Sequence, residues 1–512
     1  MLFALLVAVF SVLLGAALSF VPTTSRAVLG YMRTFATLAA VSVVVTHLLP
    51  EALRELGPLS IVLFFVGWFT PALAHFVGQR STQGRAPHAV LEAGYWGLVV
   101  HHIADGIGLG TYTRLPADQG PHVDVIVALA AHTVPLIAVV SLAYRTTFGA
   151  RAAVLRSLGL ALASVFGIAL SGLVASSTID HFAPVIAAVA AGLLLHVVTH
   201  DLKEGAAVTP FARLVDLCVA ALGVSISLFG VLRSAEPATR AFLSQLIQLT
   251  ERTSLVILVA LAAAAFSLRL PDRRAKFARA VLPAGVLGAE SVLLSLALLG
   301  FTAAGLRLAL TAAVVAFWGP QLGPHAEQYP SAPFRARASE ALEASGPWLV
   351  LGLLVGALLL AVPPPAQPSW SSSWVVLSAV ALMANLTPVA APAAVLIALG
   401  SRSLGLAPGA VLLFATLAPL SAYLGNALKA RVLTTLACLA IAVLIDGFGF
   451  STTPLDGSLS QGDLGPRAAF ALAALLLFGI WQRGARHWLG AIVPPPPHEH
   501  EHAHDVHGPH AH

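Results

Sequence analysis

The stretch LEAGYWGLVVHHIADGIGLG, residues 91–110, decides how the chain is read. From Glu92 to Arg114 its only charged side chain is Asp105, and two adjacent histidines precede that aspartate. A helix needs about 20 apolar residues to cross hydrocarbon, so this run has the length of a span. An aspartate at the centre of a span costs roughly 2.5–3.5 kcal/mol on insertion scales, so such a group is expected to face a cavity, a partner or an ion.

The rest of the chain agrees with a membrane reading. Of 512 residues, 58% are hydrophobic and 10% charged, against about 25% charged in an ordinary soluble domain. The mean hydropathy is +0.86. The arginines are scattered between apolar runs, which argues against a nucleic-acid surface. Cys218 and Cys438 stand far apart in apolar runs, so neither a disulfide framework nor a CxxC metal site is present. Residues 1–20 lack a charged leader and read as a first span rather than a signal peptide.

Apolar runs divide the chain into two halves and predict an all-α polytopic protein of about 16 segments. Eight lie near 1–20, 34–50, 58–77, 91–111, 123–143, 155–175, 182–200 and 213–232. A more polar connector is expected at 234–253. Eight more runs fall near 254–270, 281–300, 303–319, 347–363, 374–399, 407–427, 432–447 and 468–481. With the N-terminus outside, Arg26, Arg33, Arg80, Arg85, Arg145, Arg151, Arg156, Lys203 and Arg213 fall on or near cytoplasmic loops, as the positive-inside rule requires. In the second half the count conflicts with Arg483 and Arg486, which place the tail inside. One segment is therefore expected to be broken or re-entrant, and NLTPVAAPAAVL with Pro388 and Pro392 is the candidate. The expected location is the inner (cytoplasmic) membrane.

On a helix, His101 and Asp105 are one turn apart and His102 precedes Asp105 by three. The three are expected to share a face and offer nitrogen and oxygen donors to a zinc-like ion. The bland alternative is a hydrogen-bonded His–Asp pair that fixes helix packing. His132 sits centrally in its own run, before Pro135. His196 and His200 are i, i+4 and are followed by Asp201; His47 and Glu51 have the same spacing at the end of the second run. A polar helix end would explain both of these outer pairs as well. The tail, residues 491–512, is expected to be disordered. Its His498, His500, His502, His504 and His507, interleaved with acids, offer donors without fixed geometry.

HHIADGIGLG resembles the fourth-helix signature of the ZIP (Zrt/Irt-like) divalent metal transporters. HTVP at 132–135 is similar to the start of their fifth-helix motif, THLLPEA at 46–52 to their second helix, and HVVTHDLKE at 196–204 stands where their seventh-helix segment lies. The resemblance covers residues 1–233 and implies eight spans, an outside N-terminus and a role for His101, Asp105 and His132 as ligands of a transported metal. Thr133, Leu136 and Ile137 depart from that family's fifth-helix acidic positions, which implies one ion rather than two.

The second half, 254–490, shows two similar stretches. One is marked by Pro283, Gly300 and Pro320, the other by Pro392, Gly400 and Pro419, as in repeat-built transporters. It resembles the predicted-permease family that includes organoarsenical exporters, though without a cysteine suited to a trivalent arsenical. Glu290, Asn385 and Asn426 are candidate cavity liners; interhelical hydrogen bonding is the alternative for the two asparagines.

The expected activity is therefore transport of a divalent transition metal, zinc being the best match to the donors, with no enzymatic step. Two alternatives stay open: an intramembrane zinc-dependent hydrolase with Asp105 as general base, and a transport-inactive sensor or scaffold whose tail binds the metal. The implied partners are the metal and the lipid bilayer, with no nucleic acid; a homodimer is left open.

Overall fold

A computed structural model describes residues 2–20, 26–81, 86–113, 123–173, 176–200, 209–233, 237–267, 289–322, 334–362, 374–425, 427–448 and 464–492. Among these residues the fold is all-α. Eight helices are long and apolar enough to cross a membrane, and seven shorter apolar helices accompany them, as in a multi-pass membrane protein.

The first half comprises α1 (Leu2–Ser19), α2 (Arg26–Val43), α3 (Leu49–Leu56), α4 (Leu59–Ser81), α5 (Ala86–Tyr112), α6 (Val123–Phe148), α7 (Ala150–Leu173), α8 (Ser176–His200) and α9 (Pro210–Arg233). A π-helical turn, Val44–Leu48, links α2 to α3. The burial pattern suits lipid rather than water. On α1 the small residues Ala4, Ala8, Ser11 and Gly15 face inward, while Leu2, Phe3, Leu6 and Phe10 are exposed. α7 repeats this: Ala153, Ser157, Ser164 and Gly167 are buried, and Leu155, Leu158, Leu162 and Phe166 are exposed. In hydrocarbon, close backbone packing replaces burial of large side chains as the cohesive force, so small residues collect at the contacts.

The principal contacts are α5 on α7, α4 on α8, α1 on α6 and α2 on α9, and α6 ties α1 and α7 to α2. Three pairs run parallel. Gly15 and Ser19 of α1 meet Ile137 and Ser141 of α6. Thr34 and Ala39 of α2 meet Asp216 and Gly223 of α9. His102, Gly106 and Gly110 of α5 meet Ser164, Gly167 and Ser171 of α7.

The second half comprises α10 (Pro237–Ser267), α11 (Ala289–Leu299), α12 (Phe301–Leu322), α13 (Phe334–Leu360), α14 (Trp374–Leu386), α15 (Ala391–Ser401), α16 (Pro408–Leu424), α17 (Leu428–Phe448), α18 (Leu464–Arg483) and α19 (Ala485–Gly490). The expected polar connector is instead the front of α10, where Phe242 and Leu249 are buried in the core of the second half. The run 374–399 is broken: helix stops at Leu386 and restarts at Ala391, with Pro388 and Pro392 denying the backbone N–H groups a continuous helix would need. At about 1.5 Å per residue, the 11 residues of α11 and of α15 are too short to cross the bilayer. The chain turns at Gly300 (φ 83°) after α11 and at Gly405 (φ 76°) after α15. Left-handed backbone of this kind suits glycine. Gly400 lies in α15, where an added Cβ would sit 2.9 Å from Gly356 Cα.

The halves are joined through α2, the π turn, α3 and α9. Thr239 Oγ1 donates to the Thr46 carbonyl in the π turn at 2.7 Å. Leu53 enters the core built by α10 and α13. Asp216 accepts from Thr34 Oγ1 at 2.6 Å and from the backbone N–H of Ala485, the first residue of α19, at 2.7 Å.

Candidate metal site

α5 carries the site. His101 is 1% exposed and Asp105 7%, and His101 Nε2 lies 3.3 Å from Asp105 Oδ2. One helical turn separates the two residues, so side chains i and i+4 stack on one face as expected. The spacing is longer than the 2.9–3.0 Å mode of an N–H···O bond. It equals the edge of a tetrahedron with metal–ligand bonds of about 2.0–2.1 Å, which is about 3.3–3.4 Å.

His102 departs from the expectation that three side chains share one face. At 3.6 residues per turn, adjacent residues point about 100° apart, and His102 Nδ1 lies 3.1 Å from Ser164 Oγ on α7. It is 1% exposed, and its ring centroid is 5.7 Å from that of His101. His102 is therefore placed against α7 rather than beside the His101–Asp105 edge. Among the described residues no group of three or more His, Cys, Asp or Glu gathers to hold a metal.

Glycines set how closely α7 approaches this pair. A Cβ on Gly106 would lie 3.0 Å from Gly167 Cα and from Ile168 N, and nearer still to the Ser164 carbonyl. Gly167 answers it from the other helix, against the Ile103 carbonyl. Gly108 faces open space. Below, Arg156 of α7 donates to both carboxylate oxygens of Glu92 on α5 at 2.7 Å, Tyr144 of α6 donates to Glu92 at 3.2 Å, and the guanidinium covers the Tyr95 ring at 4.5 Å. On the same side Arg145 reaches the Ser19 carbonyl at 2.6 Å.

The other sequence candidates are dispersed. His196 on α8 is half-buried, with its ring edge-on to Trp68 of α4 at 5.6 Å. Glu51 is half-buried in the first turn of α3. The side chains of His47, His132 and His200, and all of Asp201, Asn426, His498, His500, His502, His504 and His507, lie outside the described residues. Thr133, next to His132, is 6% exposed on α6. In the second half Glu290 is 7% exposed and engages Ser345. Asn385 Nδ2 donates to the Ala381 carbonyl at 2.9 Å and to Thr435 Oγ1 at 3.0 Å, a tie between α14 and α17.

Sequence reasoning missed Asp216 and Arg307. Both are single charges inside apolar runs, so the rule that drew attention to Asp105 would have found them.

No family model matches this chain, and neither a curated protein nor a solved structure does.

Proposed function

We propose that the first half carries a divalent transition-metal cation, zinc by its donor chemistry, across the membrane through a site on α5. The supporting observation is the buried edge formed by His101 Nε2 and Asp105 Oδ2 at 3.3 Å, the separation two donors take on one tetrahedral ion. Imidazole nitrogen and carboxylate oxygen suit a borderline cation. A carrier that must release its cargo is served by few protein ligands, with water or a further histidine such as His132 completing the shell. Membership of the ZIP family over residues 1–233 is part of this reading, and so are an outside N-terminus and a cytoplasmic tail. The parallel pairs α1/α6, α2/α9 and α5/α7 suit a chain that crosses at each long helix: they join the first span to the fifth, the second to the eighth and the fourth to the sixth.

For the second half, the proposal is two related units, each a short helix, a glycine turn and a longer helix. α11–Gly300–α12 and α15–Gly405–α16 have this form. Such pairs of half-length helices suit a permease whose substrate site lies where the short helices meet.

Zinc uptake into proteoliposomes loaded with a fluorescent chelator tests the reading. His101→Ala and Asp105→Ala are expected to lower initial uptake at least tenfold, while deletion of residues 491–512 leaves most of it. Loss on tail deletion alone would replace this reading with a tail-based metal sensor or scaffold.

A further inference from the structure

Arg307 on α12 is the largest fully buried side chain among the described residues, at 0% exposure. It stands seven residues after the Gly300 turn, and the chain folds back there so that its guanidinium reaches α11. Nη1 donates to Ser295 Oγ at 2.5 Å and to the Ser291 carbonyl at 3.4 Å, and Nε donates to the Ala415 carbonyl of α16 at 3.0 Å. Three helices therefore converge on one cation. Among the described residues no carboxylate lies within ion-pair distance of it. Glu290, on the neighbouring turn of α11, engages Ser345 instead.

The three bonds engage Nε and Nη1. A guanidinium has five N–H donors in a planar fork, and two of them are on Nη2, which none of these three bonds uses. The hydroxyls of Ser291 (0% exposed) and Thr416 (1% exposed) have no partner among the described residues, and one sits on each of the two helices that the guanidinium bridges. Carbonyl and hydroxyl acceptors could be served by a neutral donor; a buried cation calls for a counter-charge. The surplus here consists of donors: two coplanar N–H groups and two hydroxyls. That set is complementary to an oxyanion, since a planar fork pairs with carboxylate or phosphate oxygens.

We propose that the second half binds a small free oxyanion, a carboxylate or a phosphate-type anion, at Arg307 between α11, α12 and α16, with the Ser291 and Thr416 hydroxyls as further donors. The site rests on second-half geometry alone and stands whether or not the first half carries metal. It gives the second half a substrate class: anions rather than cations or neutral solutes.

The test uses the full chain in neutral phosphatidylcholine nanodiscs. Apparent Tm is followed against acetate, phosphate and sulfate, with ionic strength held constant by sodium chloride. At least one oxyanion is expected to raise Tm saturably above the chloride baseline. Arg307→Gln is expected to abolish that response. The double variant S291A/T416V, which keeps the guanidinium's own bonds, is expected to raise the half-saturating concentration at least threefold. Glu290→Gln should retain the response, because Glu290 touches Ser345 and not the guanidinium. The proposal is overturned if no oxyanion exceeds chloride, if Arg307→Gln responds like the native chain, or if Glu290→Gln abolishes the response. Should Arg307→Gln fail to fold, an unchanged half-saturation in S291A/T416V overturns it alone. A response confined to phosphatidylglycerol discs, with soluble anions silent, overturns it in favour of a lipid headgroup.

Discussion

Replacing Asp216 by alanine should loosen the junction between the two halves at one identifiable amide. The carboxylate is 6% exposed and accepts two hydrogen bonds, from Thr34 Oγ1 at 2.6 Å and from Ala485 N–H at 2.7 Å. Bonds to a charged acceptor contribute about 1.5–3 kcal/mol each. The two donors would not suffer equally. Thr34 also reaches the Gly30 carbonyl at 3.2 Å and keeps that acceptor. Ala485 opens α19, and a first-turn N–H has no acceptor within its own helix. The loss therefore concentrates on Ala485 and on the capping of α19. About 2 kcal/mol of lost local protection corresponds to roughly 30-fold faster amide exchange. Hydrogen exchange read by mass spectrometry over a peptide spanning residues 484–490, in nanodiscs, measures this directly. Asp216→Asn, whose side chain has one accepting oxygen instead of two, should fall between the native chain and Asp216→Ala. Unchanged exchange at Ala485 in Asp216→Ala would refute the claim that a first-half carboxylate caps a second-half helix.

Gly106→Ala should destabilise the α5/α7 contact by about 1–3 kcal/mol, because the new Cβ meets backbone that cannot swing aside. Gly108→Ala, facing open space, should be neutral or stabilising by up to about 1 kcal/mol through helix propensity, and apparent Tm in one detergent compares the two. Arg156→Lys replaces a guanidinium whose Nη2 reaches both oxygens of Glu92 and whose plane covers Tyr95 by a point charge. With both side chains of that pair 34% exposed, the expected loss is about 1 kcal/mol, again read as Tm.

The helices of the first half could be read from the sequence because lipid imposes one simple demand, a long apolar run, and each of the eight expected runs overlaps a helix. Contacts between helices were less legible. Nothing in the order of residues says that Gly106 meets Gly167, or that Ser164 takes the His102 ring, because both depend on how two distant segments cross. The split of His101 from His102 was available in principle from the 100° step between neighbours. Spacings of i+3 and i+4 put His102 and His101 on opposite flanks of Asp105, so nearness to one residue does not give the two histidines a common face. In the second half, Pro388 and Pro392 signalled the break correctly, since proline removes backbone donors wherever it lies. The polar character of residues 237–253 misled in the other direction. Polar residues on α10 such as Gln245 and Gln248 obscure buried Phe242 and Leu249, so the polar connector is at the same time core-forming helix. α19 is six residues long and held by a carboxylate from the other half, so local sequence gives no sign of it.

X-ray absorption at the zinc edge on protein lacking residues 491–512 tests the central claim most directly. The account predicts one zinc per chain with a nitrogen and oxygen shell at about 2.0–2.1 Å and outer-shell imidazole scattering, lost in the double variant His101→Ala/Asp105→Ala. An identical spectrum from that variant, or no bound zinc in the truncated native chain, would contradict it.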